Sequence, residues 1–327
     1  MPELPEVETV RQGLARHLVG RTVVSATSLH PRVARRHALG GRDLCERLTG
    51  CRCLSVERRG KYLWIPLKPA VASSTDGARI GGNPIDEGET DEAVQDGSEG
   101  GTEALIAHLG MSGQFRFTDQ PMRTHPHLRF DAHLDDGQWL SFLDQRTFGG
   151  LSWDLLDPPL DGRSLPASLG HIAPDPFESG FDVDEVVARV RRRRSEVKRV
   201  LLDQTVVSGV GNIYADEALW RARVHPARAA HQLAPRVVRS LLAEAQQVMA
   251  DALEQGGTSF DALYVNVNGE SGYFERSLAV YGREGQACRR CGAPIRRLQF
   301  MNRSSFVCQR CQRPPRLATS GRSAPIG

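Results

Sequence analysis

At 327 residues the chain is longer than the roughly 250–300 residues at which a single hydrophobic core stops growing, so two domains are expected. With 40% hydrophobic and 25% charged residues it has a globular composition, which excludes collagen-like and wholly disordered classes. No apolar run approaches the roughly 20 residues of a membrane span, and the acidic opening MPELPEVETV is no secretory signal, so a cytoplasmic protein without membrane contact is expected. The net charge of +3 conceals an asymmetry: residues 69–104 carry nine acids against one base, or −8, leaving +11 on the rest, which suits a polyanionic partner such as nucleic acid.

In chain order, Val7, Val10, Leu14 and Leu18 recur at helical spacing between Pro5 and Gly20, predicting a first helix from Pro5 to Val19. From Thr22 to about Leu151 the text turns to strand-like runs, with TVVSAT, CLSVERRGKYLWIPL, ALIAHLGMSGQFRF, HLRFDAHL and QWLSFL in succession. The Asp136-Gly137 pair between the last two signals a hairpin, and together the runs predict a β-sandwich or flattened barrel. The acidic stretch 69–104, poor in aromatic and apolar residues, reads as a disordered surface insertion between two strands. Prolines punctuate 157–180 and mark a boundary. Helices are predicted over 182–192, 195–203, 212–222 and from Pro235 to Glu254, where Gly256-Gly257 closes the last; a glycine-rich turn separates the second and third. The expected organisation is α+β: an N-terminal helix and β-sandwich domain (1–155), a linker (156–180), a helical domain (181–275), a cysteine-bearing finger (276–312) and a disordered tail (313–327).

Of the seven cysteines, Cys45, Cys51 and Cys53 read as ordinary thiols of a reduced compartment. Cys288, Cys291, Cys308 and Cys311 have C-x2-C-x16-C-x2-C spacing, which lets four thiolates surround one tetrahedral zinc; such a zinc is structural, because no coordination position is left for water.

Pro2 becomes the chain terminus if Met1 is trimmed. An α-amino group titrates near 7.7–8.0 against about 10.4 for lysine, so such an amine is a nucleophile without special burial. Attack on a sugar aldehyde carbon gives a cationic iminium, an electron sink for elimination. Spacing alone favours a proline that merely starts a helix. Glu3 and Glu6, three apart at the helix start, read either as capping residues or as a group handling a proton at the sugar.

The opening Pro2-Glu3-Leu4-Pro5-Glu6-Val7-Glu8 resembles the signature start of the formamidopyrimidine-DNA glycosylase family. The resemblance continues through Arg59-Gly60-Lys61-Tyr62-Leu63, His108-Leu109-Gly110-Met111-Ser112-Gly113, Asp144-Gln145-Arg146-Thr147-Phe148-Gly149, Gly209-Val210-Gly211-Asn212-Ile213-Tyr214-Ala215 and the four-cysteine finger, spanning nearly all of 2–312. It implies a helix-two-turn-helix motif in the helical domain, Pro2 as Schiff-base nucleophile, Glu3 as proton donor at the sugar, and Lys61 and Arg303 as groups assisting β- and δ-elimination. Met111, Arg146 and Phe148 match side chains that fill the gap left by an extruded base, and His125, Arg194 and Asn212 match DNA contacts. The glycines around Asn212 are expected to let backbone amides approach a phosphate. The segment 257–274 resembles one that closes over the extruded base. The acidic insertion is foreign to the pattern, and Ala173 stands where the family commonly has glycine.

The expectation is therefore a monomeric, zinc-containing bifunctional glycosylase and abasic-site lyase acting on oxidised purines in damaged double-stranded DNA. Two alternatives fit the same scaffold. A non-catalytic damage-binding protein has no need of a terminal amine, and a pyrimidine-lesion glycosylase differs only in substrate.

Overall fold

The structure, a computed structural model, describes residues 2–69, 103–158, 164–256 and 277–315. Most of the acidic insertion, the segment 257–274 and the tail from residue 316 lie outside the described residues.

Helix α1 (Leu4–Leu18) turns Val7, Val10, Leu14 and Leu18 into the core of a β-sandwich. One antiparallel sheet runs β1 (Val23–Ser28), β7 (Leu128–Leu134), β8 (Trp139–Asp144), β6 (Gly113–Thr118). The other runs β2 (Arg52–Cys53), β4 (Tyr62–Lys68), β5 (Glu103–His108), β9 (Gly150–Leu155), with β3 (Glu57–Arg59) also paired to β4. Alternation decides which side chains meet: Leu63, Ile65 and Leu67 face Phe115, Phe130 and Phe142 across the sandwich, each such burial contributing about 1.5–3 kcal/mol relative to exposure. Trp64 and Ile106 point the other way and are covered by Leu169 and Ile172, so the proline-punctuated stretch packs on the sheet.

Three differences from the sequence reading have local causes. Helix α2 (Gly40–Leu48) was not predicted, because it opens on Gly40-Gly41 behind the non-capping residue Leu39 and buries only Leu44, Cys45 and Leu48. The insertion ends earlier than expected, since Glu103 and Ala104 belong to β5 and pair with Leu67 and Pro66. The two long strand-like runs are each broken by a turn: the first reverses between β3 and β4 at Gly60-Lys61, and the second passes between the sheets at Gly110-Met111-Ser112. Both turns carry candidate site residues.

The helical domain packs α3 (Val183–Arg192), α4 (Val197–Leu201), α5 (Asn212–Arg221) and α6 (Pro235–Glu254) around a second core, which also takes in Leu4 of α1. The start of the chain thus belongs to both cores. Strands β10 (Arg296–Phe300) and β11 (Arg303–Val307) form a hairpin beside the four cysteines, with its own small core of Val280, Ile295 and Phe306. The α+β architecture expected from the sequence is the one observed. Among the described residues no helix is long and apolar enough to cross a membrane.

Candidate active site

Helix α5 begins without a side-chain cap of its own, its N-cap being Gly211. Glu3 supplies one from the other end of the sequence: its Oε1 accepts the Ile213 N–H at 2.8 Å and its Oε2 the Tyr214 N–H at 3.3 Å. This explains the glycines. A Cβ on Gly211 would collide with the Glu3 carboxyl, and one on Gly209, where φ is +86°, would lie 2.5 Å from Leu4. The Leu4 N–H donates to the Gly209 carbonyl at 3.1 Å. In the structure their missing side chains make room for Glu3 and Leu4.

Glu6 does different work from Glu3. Its carboxylate accepts the Glu3 N–H at 2.8 Å and the Tyr214 hydroxyl at 2.7 Å, locking the first turn of α1 onto α5. Glu3 is only 2% exposed, and burial pushes its carboxyl above the ordinary value, with Lys61 and the two amides opposing and Glu6 reinforcing. Pro2, ahead of it, is buried in the chain that still carries Met1.

Lys61 enters from the β3–β4 turn. It is 6% exposed and donates from Nζ to the Val210 carbonyl at 2.8 Å. Burial lowers its pKa to about 8; the positive field of Arg303 adds to that shift, while Glu3 and Glu6 oppose it. The turn is held from behind by Asp175, which accepts the Gly60 N–H at 2.9 Å and pairs with Arg58 at 2.6 Å; Arg58 in turn reaches Glu8 of α1 at 2.9 Å. His108, which the sequence analysis did not select, lies close enough for Lys61, Arg35 and Arg36 to disfavour its charge, and burial with these three cations lowers its pKa to about 4. Its Nδ1 accepts the Gly110 N–H at 3.2 Å, so the neutral ring carries its proton on Nε2. Only its neighbourhood, invisible in sequence, distinguishes it.

The finger docks on the same helix. Asn212 donates to the Ser304 carbonyl at 3.0 Å. Asp216 accepts the Phe306 N–H at 2.9 Å and the Ser305 hydroxyl at 2.7 Å, and pairs with buried Lys198 at 2.7 Å. Glu217 takes three consecutive N–H groups, those of Ala279, Val280 and Tyr281, at 2.8–2.9 Å. Arg303 at the start of β11 is exposed beside this junction. Pro2, Glu3, Lys61, Asn212 and Arg303 therefore gather at the α5 N-terminus.

Met111, Arg146 and Phe148 form a second group. Arg146 lies 3.8 Å from the Met111 sulfur, and Phe148 is 49% exposed despite its size. Their turns are joined by buried Asp144, which accepts the Gly149 N–H at 2.7 Å and the Ser112 hydroxyl, while the Ser112 oxygen accepts the Arg146 N–H at 2.9 Å. His125 stands on a neighbouring loop, its pKa lowered by burial and by His127, Arg129 and Arg116, and Arg194 is exposed between α3 and α4. Neither makes a described hydrogen bond or ion pair to the two groups.

The sulfurs of Cys288, Cys291, Cys308 and Cys311 lie within 4.8 Å of one another, which fits a tetrahedral zinc, whose thiolates sit about 3.8 Å apart.

The chain matches the model of the formamidopyrimidine-DNA glycosylase N-terminal domain over residues 1–151, that of the corresponding H2TH domain over 172–262, and a zinc finger found in FPG and IleRS over 285–314. It is 53% identical to the formamidopyrimidine-DNA glycosylase of Rhodococcus opacus, covering 97% of this chain and 98% of that protein, and 54% identical to that of Mycolicibacterium vanbaalenii, covering 97% and 100%. The chain belongs to the formamidopyrimidine-DNA glycosylase family. Among solved structures it is similar to a Lactococcus lactis FPG mutant in complex with a Fapy-dG containing DNA (TM-score 0.75, 28% identity, 96% of this chain and 100% of that one). MutM (FPG) from Thermus thermophilus is similar as well (TM-score 0.73, 31% identity, 95% and 98%). As a formamidopyrimidine-DNA glycosylase it is an enzyme of DNA repair, and its four-cysteine finger holds one structural zinc.

Proposed function

We propose that this glycosylase excises oxidised purines, 8-oxoguanine and formamidopyrimidines, from damaged duplex DNA and then cleaves the strand by β,δ-elimination through a Schiff base at Pro2. The observation that carries the reading is the convergence of the chain start, Lys61 and the finger on the α5 N-terminus. The Lactococcus lactis relatives crystallised with Fapy-dG DNA and with abasic-site DNA support the choice of substrate.

With Met1 removed, the Pro2 amine attacks the sugar C1′ and the base departs with a proton. The sugar ring then opens, the C1′–O4′ bond breaking as O4′ takes a proton, and the iminium so formed draws electrons from C2′, which loses a proton as the 3′-phosphate leaves; a second elimination expels the 5′-phosphate. Glu3, its carboxyl raised by burial, suits proton donation at the sugar, whereas Glu6 is committed to Glu3 and Tyr214. Lys61, with a pKa of about 8, gives up or takes a proton near neutral pH and is suited to the β-elimination. Arg303 and Asn212 suit the phosphates, as do His125 and Arg194 further along the duplex, while Met111, Arg146 and Phe148 occupy the stack after the base leaves. The zinc stays remote from the chemistry and holds the hairpin that carries Arg303.

Borohydride reduction on 8-oxoguanine DNA tests this reading. A covalent adduct whose mass places the sugar on Pro2 of the trimmed chain is expected, and Pro2→Gly should trap far more slowly. An active enzyme that retains Met1, or a Pro2→Gly variant that traps as fast as wild type, overturns it. Binding without any product points to a damage sensor, and faster release of thymine glycol than of 8-oxoguanine to a pyrimidine enzyme.

A further inference from the structure

The turn that presents Phe148 has an unusual backbone. Thr147 adopts φ +54°, a left-handed conformation that a β-branched residue disfavours, and it does so next to an exposed aromatic ring. Both carbonyls at this point converge on a single side chain: Arg35 donates from Nη1 to the Thr147 oxygen and from Nη2 to the Phe148 oxygen, each at 2.6 Å. Arg32 adds a contact to the Thr147 hydroxyl at 3.4 Å. Arg35 follows a short 3-10 turn, Pro31–Ala34, whose Val33 and Ala34 are buried in the sandwich core, so the guanidinium is held on a rigid base.

We propose that Arg35 is a positioning residue for base extrusion: its planar fork holds the strained Thr147–Phe148 turn so that the Phe148 ring enters the duplex already oriented. The inference rests on the reading of Phe148 as a wedge given above. Two charge-assisted bonds to adjacent carbonyls need the fork geometry, which a lysine ammonium cannot reproduce. A residue serving only to neutralise a phosphate would tolerate lysine and would change the salt dependence of binding.

The test uses the zinc-loaded full chain and an 8-oxoguanine duplex with 2-aminopurine beside the lesion, whose fluorescence rises as the stack opens. Arg35→Ala and Arg35→Lys should both slow stack opening and base release about tenfold, with an unchanged salt slope of binding. Cleavage of a single-stranded abasic oligonucleotide, which needs no wedge, should proceed at the wild-type rate and so report an intact catalytic centre. Wild-type opening by Arg35→Lys, or a reduced salt slope in Arg35→Ala, overturns the proposal in favour of a phosphate contact. Phe148→Ala separates the two levels: if it opens the stack normally, the wedge reading fails and the Arg35 role with it. If Phe148→Ala is slow while Arg35→Ala is not, only the Arg35 role falls.

Discussion

Lys61 is an ammonium placed where water barely reaches, and its pKa of about 8 makes it sensitive to mild alkali. Strand scission on preformed abasic DNA is expected to fall as pH rises through about 8, and a pH–rate profile with no alkaline limb there would remove Lys61 from the proton inventory. The stability consequence has a definite sign. The native pKa lies below the ordinary 10.5, so the unfolded chain binds this proton more tightly, and wild type should gain stability relative to Lys61→Met as pH rises from about 8 towards 10.5. Gly211 makes the complementary case, in which absence of a side chain is the requirement. Gly211→Ala puts a methyl group where the Glu3 carboxyl lies, and we expect base excision to fall about 100-fold with zinc content unchanged.

Helix α5 is the element on which the rest converges. Its first turn is capped by Glu3, while Asp216 and Glu217 grip the finger. A carboxylate can accept three backbone N–H groups where an amide cannot, because the amide nitrogen turns a donor toward one of them. Glu217→Gln should therefore cost about 2 kcal/mol locally, visible as roughly 30-fold faster amide exchange at residues 279–281. Unchanged exchange there would mean the finger is held by other contacts. The helix itself was legible in sequence from its periodicity. Its role as the meeting point was not, since the finger partners of Asp216 and Glu217 lie 62–90 positions away. Helix α2 shows the converse: its burial is clear in the structure, but the paired glycines at its start hid it from a search for caps and periodicity.

Over the whole molecule, charge and zinc are separable levers. Residues 70–102 hold eight of the acids and one base, and they join β4 to β5, antiparallel neighbours whose Leu67 and Glu103 are paired. Replacing the segment by a short turn should preserve the melting temperature and tighten DNA binding most at low salt, because a charge of −7 is removed from a body that attracts a polyanion. A fall in melting temperature would give the segment a part in the fold. Zinc removal should act on the finger alone. Trp220 donates from Nε1 to the Cys288 sulfur at 3.4 Å, so chelation should change tryptophan fluorescence and abolish DNA binding while the sandwich retains its β-sheet circular dichroism.

Features that depend on short-range order were determined by the sequence alone. The spacing of Val7, Val10, Leu14 and Leu18 specifies a buried helix face, alternation in the strand-like runs specifies a sandwich or flattened barrel, and two C-x2-C pairs specify a metal finger. The motif residues also announce the family without coordinates. Tertiary structure alone decided that the glycines before Asn212 make room for Glu3, that the Glu3 carboxylate caps α5 while Glu6 ties the first turn of α1 to Tyr214, and that His108 and Arg35 stand beside the site. The physical reason is separation along the chain. Glu3 and Ile213 are 210 positions apart, and no local periodicity encodes a contact created only when two hydrophobic cores close around the same few residues.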